Sequence, residues 1–392
     1  MLPLTGIAVV ALEQAVAVPF ATRQLADLGA RVIKIERPGE GDFARGYDKT
    51  VHGLSSHFVW LNRSKESLTL DVKHPDGNKI LHQLLSNADV FIQNLAPGAT
   101  DRLGLSAGEL TAKYPRLIAC DLSGYGRDGP YADKKAYDLL IQCETGVMSV
   151  SGTPETPSKT GISVADIAGG MYAYTGILTA LYQREKTGQG TSFEVTLFEA
   201  LGEWMGYPAY YASYGGTPPP RTGASHATIF PYGPFTCGDG KTVFFGIQNE
   251  REWDNFCRIV LQRQELGSDP HFTPNPARIA NQTELAKIID SVLQSLSSLE
   301  VLQRLDEAQI ANARLNSPQE FWQHPQLAAR KRKRSIDTPA GPIEALLPPV
   351  ALRGTEAYMG AIPSVGEHNR HILAELGYTE AEIEALKQAS VT

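Results

Sequence analysis

A lone carboxylate, Asp166, interrupts the run of small apolar residues "ISVADIAGGM" at 162–171. The preceding "TGISVA" has the β-branched character of a buried strand. The following "IAGGMYAYTGILTALYQREKTGQG" has helical periodicity and ends on a glycine stop. The pattern predicts Asp166 at a strand-to-helix junction, where aspartate is a favoured N-cap. That place also suits chemistry. A helix N-terminus favours the ionised form, and an ionised carboxylate is a nucleophile. Gly169 and Gly170 carry no side chain, which lets a bulky substrate approach the backbone.

Two further stretches carry charge next to a Pro-Gly turn: "KIERPGEGD" (34–42) with Arg37, and "NLAPGATDRLG" (94–104) with Arg102. Each follows a strand, at the edge where α/β proteins bind ligands, and each suits a nucleotide's phosphates or a solvated surface turn. "GYGRDG" (124–129) matches the dinucleotide fingerprint by letter, but Pro130 follows at once and no apolar helix begins there. A glycine-rich loop is the better reading. "RKRKR" (330–334) reads as a solvated basic run.

These groups need a scaffold, and the composition allows a large one. The chain has 392 residues, 42% of them hydrophobic, which suits two or three domains. A net charge of −7 argues against broad nucleic-acid binding. The four cysteines are scattered, which fits a reducing compartment and gives no metal or dithiol motif. The apolar N-terminus lacks a basic flank and is broken by Glu13 and Gln14, so it reads as strand and helix rather than as a targeting segment. No stretch is long enough for a membrane span. A cytoplasmic protein is expected.

"GIAVVAL" (6–12), "VPFATRQLADLG" (18–29) and "ARVIKIE" (30–36) read as strand, helix, strand. That is a βαβ unit and implies a parallel sheet. "ESLTLDV", a helix opened by Pro75, "DVFIQN" and "RLIACDLSG" continue it. The fold class expected is α/β, a doubly wound Rossmann-like large domain plus a smaller α+β domain. The texture changes near 215. "FTCGDGKTVFFGI" then predicts a hairpin about Asp239-Gly240, followed by helical stretches. The expected division is 1–220, 221–330 and 331–392, the last segment returning to the large domain.

Together, "VIKIERPGEGDFAR", "NRSKESLTLDVKHPDG", "ADVFIQNLAPGATDRLGL", "LSGYGRDGPY", "KAYDLLIQ", "ADIAGGM" and "TGQGTSFEV" resemble the class III CoA-transferases. That family includes formyl-CoA and carnitine CoA-transferases and the related α-methylacyl-CoA racemases. The resemblance implies Asp166 as nucleophile and CoA contacts at Arg37, Leu70, Lys73, Asn94, Leu95, Arg102 and Lys135. It implies a site role for Asp138 and an interlocked homodimer. The sequence departs from the formyl-CoA branch at "EQAVAV", where Gln14 stands near a family histidine and Val16 at a family glutamine. No tetraglycine lid is present; "TGASHATIFPYG" is the candidate replacement.

The implied reaction runs through an aspartyl anhydride and an aspartyl-CoA thioester. It needs no metal and no permanently bound cofactor, since coenzyme A arrives with the acyl-CoA substrate. The stretches "RPGEGDFARGYD" and "SSHFVWLNRSKESLTLDVK" resemble the dicarboxylate branch, with succinyl-CoA as donor and itaconate as the first-choice C5 acceptor. Arg45, Ser225, His226 and Gln248 are then candidates for the acceptor's distal carboxylate, Arg45 foremost because guanidinium binds carboxylate bidentately. Mesaconyl-CoA C1-C4 or citramalate transfer, α-methylacyl-CoA racemization and a non-catalytic CoA-binding role remain as alternatives. The racemase reading lacks its histidine, since Tyr137 precedes Asp138.

Overall fold

The computed structural model describes Met1–Thr392. The chain forms two compact units. One comprises 1–147, 160–207 and 329–392; the other comprises 148–159 and 208–328. The boundary thus falls at 207 rather than 220, and the short stretch 148–159 belongs with the second unit.

Six parallel strands organise the first unit: β1 (Ala8–Leu12), β2 (Arg31–Glu36), β3 (Lys65–Thr69), β4 (Val90–Gln93), β5 (Ile118–Ser123) and β6 (Thr191–Thr196). Their order is β3-β2-β1-β4-β5-β6. The central strands are apolar runs because helices cover both faces. Val9, Val18, Leu25 and Ile177 form the core on one face; Val10, Ile33, Ile80 and Ile372 form it on the other. Strand order reverses between β1 and β4, and such a switch point opens a crevice at the carboxyl ends of the strands.

Local chemistry sets the helix ends. The helix Ala17–Asp27 stops before Gly29, whose φ of +96° suits glycine. Pro75 opens the helix Pro75–Ser86. The segment before Asp166 is a correction. It forms no strand; the helix Val164–Thr187 begins within it. Gly188, at φ +74°, ends that helix.

The closing segment belongs to the first unit. The strands β10 (Lys333–Ile336) and β11 (Ile343–Leu346) pair antiparallel around Gly341, so the last two residues of the basic run are strand rather than loop. The helix Asn369–Glu375 docks on β3, where Asn369 Oδ1 accepts the Thr69 N–H at 2.8 Å. Val391 O accepts the Asp71 N–H.

In the second unit β7 (Tyr232–Thr236), β8 (Thr242–Gly246) and β9 (Asn312–Arg314) form an antiparallel sheet, with Asp239-Gly240 in the β7–β8 turn. Gly240 takes φ +76°, as that turn requires. Trp253, Phe245, Phe256 and Leu285 build its core. No helix in the chain is long and apolar enough to cross a membrane.

Candidate active site

A cleft of about 1670 Å³ opens at the carboxyl ends of the parallel strands, entirely within the first unit. Gln14 lines it from beyond β1, Arg37 from beyond β2, and Leu70 and Lys73 from beyond β3. Asn94, Leu95 and Arg102 follow β4, and Lys135, Asp138 and Asp166 complete the set. Ten expected site residues scattered over 150 positions of sequence therefore meet on one cavity.

Asp166 is the third residue of its helix, not the cap. Ser163 stands at the cap position and makes no side-chain cap bond. A carboxylate from elsewhere does that work. Asp138 Oδ1 accepts the Ala165 N–H at 2.8 Å and the Asp166 N–H at 3.4 Å. Its Oδ2 accepts from Gln142 Nε2 at 2.7 Å, and Gln142 Oε1 accepts the Thr160 N–H at 2.9 Å. Five residues on two helices and one loop are thereby locked together.

This arrangement reverses an electrostatic expectation. The helix N-terminus does not keep Asp166 fully ionised. Burial, and after it the charge of Asp138, push the Asp166 carboxyl up to about 7. Desolvation of a charged oxygen outweighs the fractional charge of a helix end.

The two glycines after Asp166 lie inside the helix and serve packing. A Cβ on Gly170 would sit 2.5 Å from Ala17 O, and one on Gly169 would sit 2.6 Å from Leu197 Cδ2. Neither supplies a turn for the thioester. Gly170 brings the Asp166 helix against the helix Ala17–Asp27 at backbone distance, and Gly169 makes room for the Leu197 side chain.

Arg45 is not on the cleft lining. Its Nε and Nη2 bind both oxygens of Glu36 at 2.8 and 2.7 Å, and Nη1 donates to Pro363 O. Its guanidinium lies 3.7 Å from the centre of the Phe58 ring. Every face of the guanidinium is used, because the fully buried Glu36 carboxylate requires a partner. Ser225, His226 and Gln248 belong to the second unit. There Ser225 O accepts from Thr222 Oγ1, His226 stacks on Tyr232 at 5.1 Å, and the Gln248 N–H donates to Glu252.

Sequence reasoning passed over two residues that do line the cleft, Tyr47 and His57. Their rings meet edge to face at 5.3 Å. The Tyr47 hydroxyl is held above its usual range by burial, then by the charges of Asp42 and Asp166. His57 Nδ1 is buried without a hydrogen bond and lies 3.7 Å from Asp48 Oδ2. Both sit in the stretches already singled out, but charge alone had favoured Arg45. "GYGRDG" forms a loop after β5, with Gly126 and Gly129 at positive φ and no helix at its end. Arg127 within it pairs with Asp121 at 2.8 Å.

Comparison with known proteins agrees with this geometry. The model of CoA-transferase family III matches residues 4–369. The succinyl-CoA:glutarate CoA-transferase of Mus musculus is 32% identical over 98% of this chain and 89% of its own. The succinyl-CoA–D-citramalate CoA-transferase of Chloroflexus aurantiacus is 31% identical over 99% of this chain and 98% of its own. A crystal structure of a CAIB/BAIF family protein from Brucella suis superposes with a TM-score of 0.85 at 31% identity, over 96% of this chain and 99% of that one. Family match, full-length relatives and a shared fold agree: the chain belongs to CoA-transferase family III and is an enzyme that transfers CoA, receiving it with an acyl-CoA substrate.

Proposed function

We propose that this enzyme moves CoA from succinyl-CoA to a C5 dicarboxylate through covalent intermediates on Asp166. The observation that carries the reading is a carboxylate standing on the cleft at the switch point, its backbone fixed by Asp138. The relatives named for succinyl-CoA with glutarate or D-citramalate support a dicarboxylate acceptor. Itaconate, glutarate and citramalate share five carbons and two carboxylates, and itaconate stands first in the test panel.

Arg37, Lys73, Arg102 and Lys135 supply positive charge on the cleft for the phosphates of CoA. The Asp166 carboxylate attacks the thioester carbonyl, and the C–S bond breaks to give a succinyl–aspartyl anhydride and the CoA thiolate. The thiolate attacks the aspartyl carbonyl, releasing succinate and leaving an aspartyl-CoA thioester. The acceptor carboxylate attacks that carbonyl and displaces the thiolate. The thiolate then attacks the acceptor's acyl carbonyl, and Asp166 leaves as a carboxylate. No proton or electron is gained or lost, and each step has a good leaving group. The helix Ala17–Asp27 starts on the cleft without a side-chain cap, so its first N–H groups are available to the oxyanions.

With Arg45 committed to Glu36, His57 and Tyr47 become the groups offered to the acceptor's distal carboxylate. A dimer of interlocked chains is part of the proposal. Tyr182 and Trp204, both off the cleft, are exposed at 64% and 49%, and covering such large aromatic side chains is what a partner chain would do.

Succinyl-CoA offered with a panel of C2 to C6 mono- and dicarboxylates, read by mass, tests the assignment. The expected products are C5 dicarboxyl monothioesters, and His57→Ala raises the acceptor KM by about tenfold while sparing CoA affinity. Equal use of acetate or butyrate would overturn the dicarboxylate reading while leaving the transferase intact.

A further inference from the structure

Behind the cleft wall, and reaching it at Glu13, lies a group of four charges that the transfer chemistry does not use. Lys34 on β2 and Lys65 on β3 are fully buried, as are the side chains of Glu13 and Asp42. Lys34 Nζ lies 2.7 Å from Asp42 Oδ2 and 3.3 Å from Glu13 Oε1. Lys65 Nζ donates to Glu13 Oε1 at 2.6 Å, to Pro19 O and to Asn62 Oδ1. Buried ion pairs are poor sources of stability, since apolar packing of the same volume does as well. Their geometry points elsewhere.

Asp42 spends its second oxygen on the backbone. Oδ1 accepts the Ala15 N–H at 3.1 Å and the Ala44 N–H at 2.9 Å. Ala15 has φ +61°, a left-handed conformation that an alanine adopts only when held. The neighbouring residue is held as well: Asn94 Oδ1 accepts the Gln14 N–H, and Asn94 Nδ2 donates to Gln14 O. Residues 13–17 all line the cleft, and Ala17 O abuts Gly170 of the Asp166 helix. The loop's strained shape therefore governs both a wall of the site and the seat of the nucleophile's helix.

We propose that the Lys34–Asp42 pair is a positioning device: Lys34 fixes the Asp42 carboxylate, and Asp42 clamps Ala15 in its left-handed conformation so that the loop 13–17 is preformed opposite Asp166. The proposal rests on Asp166 as the acyl acceptor. Turnover retained by Asp166→Ala would sink that reading separately, whatever the loop does.

Two paired substitutions test the clamp. Lys34→Met with Asp42→Asn removes both charges but leaves an amide oxygen for Ala15. Lys34→Met with Asp42→Leu removes the oxygen as well. Glu13 and Lys65 keep each other in both. The Asn pair is expected to hold kcat within about threefold of wild type, and the Leu pair to lose about thirtyfold or more, with the KM for acyl-CoA nearly unmoved in each. Adding Ala15→Gly to the Leu pair restores about fivefold or more, because glycine adopts positive φ without a clamp. Equal kcat in the two pairs per folded molecule would overturn the proposal, as would no effect of Ala15→Gly. Should neither pair fold, amide exchange of wild type decides: Ala15 N–H protected like the central strands supports the clamp, and exchange at loop rates refutes it.

Discussion

Asp138 caps the helix that carries Asp166: one carboxylate oxygen takes the N–H groups of both Ala165 and Asp166, at 2.8 and 3.4 Å. One acidic side chain thereby orients the Asp166 backbone while repelling its charge. The cap favours the geometry, and the repulsion raises the carboxyl to about 7 after burial has made the larger contribution.

Asp166→Asn is expected to abolish transfer and to stabilise the fold at neutral and higher pH. The sign follows from linkage. The folded-state pKa lies above the unfolded one, so ionisation costs nothing at pH below the ordinary carboxylate range. The cost grows as pH rises and is complete above about 7. The variant therefore gains on the order of 2 kcal/mol at pH 8 and almost nothing at about pH 3, discounting for the side open to the cleft. Thermal melts of both proteins at the two pH values check it; an equal difference at both would contradict the linkage.

Asp138→Asn separates the two roles of that residue. Its amide oxygen can still accept from Ala165 and Asp166, but the repulsion is gone. The acid limb of the kcat/KM profile, expected near the Asp166 value in wild type, should move down by roughly one unit. It should not fall to the ordinary aspartate range, because burial remains. A limb that stays in place would assign the shift to burial alone.

Gly170→Ala places a methyl 2.5 Å from a backbone carbonyl, Ala17 O, which cannot swing aside. A loss of about 1–3 kcal/mol is expected, with a fall in kcat as the Asp166 helix is pushed off its seat. Gly169→Ala meets only the end of the Leu197 side chain and should cost less. Denaturant melts with activity on the same samples rank the two; the opposite order would refute this packing account.

Arg45→Met should act on stability rather than on the acceptor. It leaves the buried Glu36 carboxylate without its bidentate partner, a loss of about 2–4 kcal/mol. Glu36 is held at about 2 with the help of Arg45, so its proton uptake should move to higher pH in the variant. That lowered pKa contributes stability above the unfolded value and loses it as pH falls toward about 2, so the wild-type advantage shrinks in acid. An acceptor KM raised selectively, with an unchanged melting temperature, would restore Arg45 to the substrate site.

The parallel α/β unit was legible because buried strands and amphipathic helices alternate at short range. β1, β2, β4 and β5 read directly as apolar runs bounded by turns. The strand expected before Asp166 was not there. "TGISVA" is apolar enough for a strand, yet the Asp138 carboxylate, 27 positions away in sequence, starts a helix inside it. Local propensity cannot see a cap donated from another element.

The chemistry-bearing residue types and their order along the chain were set by sequence alone. They were sufficient to name the family and to pick out Asp166 and basic residues that the fold gathers on one cleft. Which charges face the cleft was decided only by tertiary structure. Arg45 and His57 stand twelve positions apart, and charge made the arginine the natural choice. Folding buries Glu36 and obliges Arg45 to pair with it, while His57 is left on the cleft. The same holds for the ionisation of Asp166: a sequence places it near a helix start, but desolvation depends on everything packed around it, and that exists only in the folded chain.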